Sequence, residues 1–272
     1  MVRVVGVGDN TVDRYLHLGM MFPGGNSVNV PVLAHRLGHP AAYLGWLAND
    51  PHGLLVYNSL LEEGVDVSHS RLIEGENAYC EISLQNGDRV FGDYSEGVCD
   101  QIEMNDEDCK FISGFDLVHT SVYSFISPYL KQLRSVSKVL SYDFSREWDR
   151  KLLAETLPFV SIALISNQVK DIDENQELIN YASSFGPDIV LVTSGEQGAL
   201  LYYGSQFFYQ PILSVEKVVD TLGAGDAFAA RFMVDYLDGI SVQDALQNAA
   251  KLAVETCMVY GAFGHGAPLY KK

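Results

Sequence analysis

Short apolar runs alternate with stretches of helical spacing along most of the chain. Residues 3–7 read as a buried strand. Residues 27–37 follow with Val28, Val32, Leu33 and Leu37 at helical spacing. They stop at Gly38, a residue type that ends helices because it accepts the left-handed conformation. Residues 41–47 predict a second apolar strand, and 52–63 a helix closed by Gly64. The pattern then changes. Residues 78–84 and 89–94 are strand-like and flank Asn86-Gly87-Asp88, a strong hairpin signal, so an antiparallel element standing apart from the rest is expected here. Alternation resumes with strands at 117–120, 139–144, 161–165 and 189–193, and helices at 128–136, 150–157 and 174–185. A meander at 199–203 and 206–210 and two helices at 224–237 and 242–259 complete the chain.

Strands joined through helices must cross over, which predicts a mostly parallel sheet covered on both faces, an α/β fold. Ligands are expected at the carboxyl ends of its strands. The 272 residues show no fixed-period repeat and no low-complexity linker, and they are read as one domain. Eighteen Lys and Arg against 35 Asp and Glu leave a net charge of −17 without a basic stripe, which argues against nucleic acid and anionic membranes as partners. No apolar run reaches the ~18 residues of a membrane span. The first eight residues lack the long apolar stretch and cleavage site of a signal peptide. Cys80, Cys99, Cys109 and Cys257 are scattered, as free thiols of a reducing cytoplasm would be. The seven histidines do not cluster at ligand spacing, and His119, on an apolar strand, reads as a core or pocket residue.

The stretches richest in chemistry follow strands. Residues 218–228 read as an apolar strand entering the glycine turn Gly223-Ala224-Gly225 and then a helix. Glycines let the chain bend tightly and present consecutive N–H groups to an anion at the positive end of a helix. Asp226, in the first helical turn, is placed to take a proton from a hydroxyl attacking a phosphoryl group. Gly8-Asp9-Asn10-Thr11-Val12-Asp13 closes the first strand with a dense set of donors and acceptors, as sugar hydroxyls require. The segment lacks the third glycine of a dinucleotide-binding loop, which counts against a nicotinamide oxidoreductase.

Asp220–Phe228, DTLGAGDAF, resembles the C-terminal signature of the ribokinase-like (pfkB-type) carbohydrate kinases. Gly24-Gly25-Asn26-Ser27-Val28-Asn29 resembles the N-terminal signature, about 195 residues earlier and in the family's order. The resemblance covers nearly the whole chain. It implies a ribokinase-like three-layer fold with a small antiparallel β lid, formed here by about residues 14–18 and 76–94. It implies transfer of the γ-phosphoryl group of ATP to a primary hydroxyl, with Mg²⁺ and in some members K⁺, in homodimers paired through the lid. By the same resemblance Asp226 is the catalytic base, and the N–H groups of Gly223, Ala224 and Gly225 form the anion hole. Asp9, Asp13, Gly25, Asn26 and Asn29 are then sugar contacts. Thr193, Gly195 and Gly198 of TSGEQG, with Thr221 and Asn248, are nucleotide contacts. The family often carries Asn-x-x-Glu after a central strand. Here Asn167 is followed by Lys170 in the Glu position and by Asp171 one residue later, and no metal ligand is assigned.

Residues 88–98 (DRVFGDYSEGV) and 142–149 (YDFSREWD), with the segments at 8–13 and 24–30, are similar to fructoselysine 6-kinases, a branch that acts on fructosamines. Such substrates carry a sugar on an amino-acid amine. Asp93, Glu96 and Asp143 are candidates to face the ammonium group, and Arg89 to meet a carboxylate or phosphate. Acceptors such as 2-keto-3-deoxygluconate, fructose, ribose and nucleosides stay open as alternatives.

Overall fold

The computed structural model describes residues 1–85, 88–168, 171–214 and 218–269. In chain order the first elements are β1 (Val4–Val7), β2 (Thr11–Tyr15), β3 (Met20–Gly24), α1 (Asn26–Arg36), β4 (Ala41–Leu44), β5 (Trp46–Ala48) and α2 (Pro51–Glu62). Next come β6 (Arg71–Ile73), β7 (Tyr79–Gln85), β8 (Asp88–Ser95), α3 (Asp106–Ile112), β9 (Leu117–Ser121), α4 (Leu130–Val136), β10 (Val139–Asp143) and α5 (Arg150–Thr156). The last are β11 (Ile162–Ser166), α6 (Ile172–Ser183), β12 (Ile189–Thr193), β13 (Ala199–Tyr203), β14 (Gln206–Gln210), α7 (Ala224–Leu237), α8 (Val242–Thr256) and β15 (Ala267–Pro268).

Eight strands form the central sheet in the order β14-β13-β12-β11-β10-β9-β1-β4. From β12 to β4 every pairing is parallel, and β13 and β14 extend the edge as an antiparallel hairpin. Strands covered on both faces are mostly apolar: Val4–Val7, Leu117–Ser121 and most of Ile189–Thr193 are buried, with His119, Thr120 and Ser121 the buried polar residues of β9. Alternate side chains serve opposite layers. Val5, Val118, Leu140 and Val190 pack with residues of α3 to α6, such as Ile112, Leu133, Leu153 and Ile179. Val4, Leu117, Ile162 and Leu191 pack with residues of α1, α7 and α8, such as Leu33, Phe232 and Leu246. The three layers expected from the alternation are therefore present.

A second sheet runs β15-β3-β2-β7-β8. The expected hairpin is its outer edge, β7 against β8, with an irregular register between Cys80 and Ile82. Asn86 and Gly87, the expected turn, lie outside the described residues. β2 and β3 were not expected as strands. Each is five residues long and carries Asp13 and Arg14, or Pro23 and Gly24, which obscure a strand pattern. β2 faces in two directions. Val12 enters a core with Val28 and Tyr43, while Tyr15 joins Phe22 and Ile82 on the other side.

Two further expectations are corrected. The apolar run 41–47 is not one strand: it breaks at Gly45, where the Tyr43 hydroxyl crosses to the Gly8 carbonyl (2.8 Å). β5 then leaves the main sheet and pairs with β6. No strand precedes the glycine turn among the described residues of 218–222. That segment is held instead by the N–H groups of Val219 and Asp220, both donating to the Cys257 carbonyl at the end of α8.

Candidate active site

Segments distant in sequence meet where β1, β9 and β10 end and α1 and α7 begin. The first residue of α1, Asn26, donates from one amide nitrogen to Asp143 Oδ2 (3.1 Å) and Asp226 Oδ1 (2.9 Å). One turn later Asn29 donates to Asp226 Oδ2 (2.6 Å). The i, i+3 spacing of a helix puts both amides on one face, aimed at the first turn of α7. Burial raises the Asp226 carboxyl to about 7, the neighbouring charge of Asp143 adds to this, and the two asparagine amides oppose it. Burial likewise lifts Asp143 to about 6, against the stabilising N–H of Ser145. Near neutral pH a carboxyl raised this far can accept a proton without being permanently protonated.

Asp9 lies beside this pair. Its Oδ1 accepts from the hydroxyls of Ser27 (2.7 Å), Ser124 (2.7 Å) and Ser121 (2.9 Å) and from the N–H of Ser27 (3.3 Å). Gly25, the residue before α1, has φ +107°. A Cβ there would stand 2.8 Å from the Asn10 Cα and 3.0 Å from Asp9 Oδ2, so glycine is required for the close approach. Asp13, buried on β2, sits against Gly24. Asn10, read from sequence with Asp9 and Asp13 as a sugar-binding group, is instead scaffold. Its amide donates to the Trp46 carbonyl (2.8 Å) and the Tyr43 hydroxyl (3.0 Å), and its Oδ1 accepts from Asn77 (2.9 Å).

α7 starts at Ala224, with Gly223 at φ +76° as the residue before it. The first N–H groups of a helix have no acceptor inside it; that of Ala224 turns back to the Thr221 carbonyl (3.3 Å), while the space beside Gly225 is open. A narrow cleft is lined by Asp143, Ser166, Thr193, Gly225 and Phe228. Thr193 ends β12, with its hydroxyl 3.3 Å from that of Ser166. Gly195 turns at φ +52° into open space, and Thr221 is exposed. The expected set therefore converges at Asp9, Asp13, Gly25, Asn26, Asn29, Asp143, Thr193 and the turn Gly223–Asp226.

Other expected residues stand elsewhere. Gly198 packs on the Gln210 carbonyl and borders a separate recess on the α6 side with Asn175, Ser194 and Tyr209. The Asn248 amide donates to Asp235 (2.8 Å) in the seam between α7 and α8. Asp93 is exposed and accepts from the Tyr79 hydroxyl (2.8 Å), and Glu96 is exposed. Asp171 caps α6 through the N–H of Asp173 (2.9 Å). The side chain of Arg89, and Lys170, lie outside the described residues. His119 is buried as expected, its Nδ1 at 2.9 Å from the Ser141 hydroxyl. Burial lowers it to about 4, so it is neutral at physiological pH. Ser27, Ser121 and Ser124 were missed. Ser27 at the start of α1 and Ser121 at the end of β9 stood where ligands gather, which was the available signal.

A helix start whose Gly225 faces open space, beside a proton-accepting carboxyl, suits phosphoryl transfer, and the two define the class: a small-molecule kinase. Comparison with known proteins carries this further. Residues 9–265 match the pfkB family carbohydrate kinases, and the chain belongs to that family. It is 39% identical over 271 residues to fructosamine kinase FrlD of Bacillus subtilis, covering 98% of this chain and 95% of that protein. It is 33% identical over 264 residues to fructoselysine 6-kinase of Escherichia coli, covering 97% and 100%. The fold matches Arabidopsis thaliana ribokinase complexed with ribose and ATP, with a TM-score of 0.82 at 21% identity over 96% of this chain and 93% of that one. The chain is thus an ATP-dependent sugar kinase with the ribokinase-like fold.

Proposed function

We propose that this kinase transfers the γ-phosphoryl group of ATP to the 6-hydroxyl of a fructosamine, most simply fructoselysine. The reaction rests on Asp226, a buried carboxyl at the start of α7 with a value near neutrality. Asp226 takes the proton of the sugar hydroxyl, whose oxygen forms the new bond to the γ-phosphorus as the bond to the ADP oxygen breaks. The N–H groups of Gly223, Ala224 and Gly225 meet the charge that gathers on the phosphoryl oxygens. Asp9, Asp13, Gly25, Asn26 and Asn29 orient the sugar. Thr193 and Thr221 lie on the nucleotide side, together with Gly195. The placements of Gly198 and Asn248 favour a scaffolding part for both.

The narrower substrate is supported by the two relatives named for fructosamines, which match nearly the whole chain. Acidic Asp143 suits a cationic acceptor. The second sheet serves as the lid over the sugar. Its edge strand β8 leaves Phe91 and Tyr94 56% and 69% exposed, which fits a homodimer through that sheet. Among the described residues no three His, Cys, Asp or Glu side chains converge as a metal cage. Mg²⁺ keeps water readily and binds phosphate oxygens, so it belongs with ATP, and no step here passes through a protein-held ion. No helix among the described residues is long and apolar enough to cross a membrane. The four free thiols suit the cytoplasm.

An ADP-release assay with fructoselysine, fructose, ribose, 2-keto-3-deoxygluconate and a nucleoside tests the reading, run in K⁺ and in Na⁺. Fructoselysine is expected to exceed fructose in kcat/KM by about tenfold or more, the worth of one charge-assisted hydrogen bond. Equal or higher values for fructose would overturn the fructosamine assignment.

A further inference from the structure

We infer that the buried bond between Tyr15 and Asp220 is a positioning device. It holds the sugar-facing strand and the phosphate-facing turn in register. The inference rests on reading Gly223–Asp226 as the phosphoryl-transfer turn. The two residues lie 205 positions apart, and the Tyr15 hydroxyl donates to Asp220 Oδ2. Tyr15 is 2% exposed and Asp220 6%.

The Asp220 carboxylate joins three segments. Oδ1 accepts from the N–H of Leu222 (3.0 Å), which bends the chain into the turn. Oδ2 accepts from the N–H of Gly261 (3.1 Å) as well as from Tyr15. Behind it, the N–H groups of Val219 and Asp220 are fixed to the Cys257 carbonyl. Gly223 in turn packs on Ala262, so the turn leans on the segment that Asp220 anchors.

On the other side, Tyr15 stands on β2 two residues after Asp13, and strand alternation puts both on one face. The Tyr15 ring packs edge-on against Phe22 (5.2 Å between centroids) and Tyr260 (6.0 Å), and Leu222 joins this cluster. One path from Asp13 to the N–H groups of the turn runs through this phenol–carboxylate bond, alongside the one that Asn26 and Asn29 make from α1 to Asp226. Reacting groups must be placed within a fraction of an ångström, and a shift of about 1 Å costs up to about a hundredfold in rate. A bond at this point can set the distance between acceptor hydroxyl and γ-phosphorus without touching either.

Tyr15→Phe removes the hydroxyl and keeps the ring. In the full chain, with ATP and the preferred sugar, kcat is expected to fall about tenfold or more. KM for both substrates should stay within about threefold, the signature of a contact felt in the transition state. ATP hydrolysis without sugar should become a larger share of turnover. Asp220→Asn should behave alike, and the double variant should be no slower than the slower single one. If Tyr15→Phe does not fold, Asp220→Asn carries the same kcat-against-KM test. A kcat within about twofold of wild type overturns the inference, as do losses that multiply in the double variant. Asp226→Asn separates the two levels. If it stays active, the reading of the turn itself fails. If it is inactive while Tyr15→Phe is normal, only the positioning bond falls.

Discussion

Replacing Asn29 with Leu probes what tunes the proton acceptor. Asn29 donates to Asp226 Oδ2 at 2.6 Å, and this contact opposes the burial that raises Asp226 to about 7. Its own Oδ1 is buried without a hydrogen-bond partner among the described residues. Leucine of similar shape thus removes one donor and one unsatisfied acceptor, so the chain should still fold. A hydrogen bond to a charged group is worth about 1.5–3 kcal/mol, and each pH unit corresponds to about 1.4 kcal/mol. Losing the donor should move the acid limb of the kcat/KM profile up by about 1–2 pH units. At pH 7 the ionised share of Asp226 then drops from about half to roughly 1–10%, and kcat/KM falls with it. At pH 9 or above the variant should recover most of its activity. The assay is coupled ADP release across the pH range at limiting sugar and saturating ATP. A limb that does not move, with activity lost evenly at every pH, would refute the tuning argument and leave Asn29 as a sugar contact alone.

Two further outcomes follow from the same pair of carboxyls. Asp226→Asn should lower kcat by about 10²–10⁴-fold, the usual worth of a positioned base, while calorimetry still detects ATP binding. The ligand-free chain should also show the pair in its thermal stability. Asp143 and Asp226 rise from 3.8 to about 6 and about 7 on folding. The folded state therefore holds these protons more tightly, and stability falls as pH climbs from about 4 to about 7. His119, lowered from 6.5 to about 4, acts in the opposite sense over part of that range. It cancels when wild type and Asp226→Asn are compared. The variant should gain on the wild type in Tm by several degrees between pH 5 and pH 8. A constant difference would mean that Asp226 is not raised.

The amino-acid order alone determined the layering and pointed to the segments proposed to carry the chemistry. Buried parallel strands are apolar over most of their length, and helices show one apolar stripe. Both patterns are local, and the central sheet and its flanking helices follow from them. Glycine turns and caps are local as well, which is why the Gly223–Asp226 turn and the Gly24–Asn29 segment could be recognised before their surroundings were known. Short strands carrying charge or proline, such as β2 and β3, could not be seen. Neighbours across the sheet stabilise them, rather than their own propensity.

Packing decided what each polar side chain does. Asn10 and Asp9 are adjacent in the chain. One is consumed by Tyr43, Trp46 and Asn77, and the other gathers three serines beside the candidate site. Asn26 bridges Asp143 and Asp226 across 117 and 200 residues, and Tyr15 reaches Asp220 across 205. No local pattern encodes such partners. They arise because closing the core brings chain ends and crossovers to one sheet edge, and a polar group buried there must find a donor or acceptor within reach.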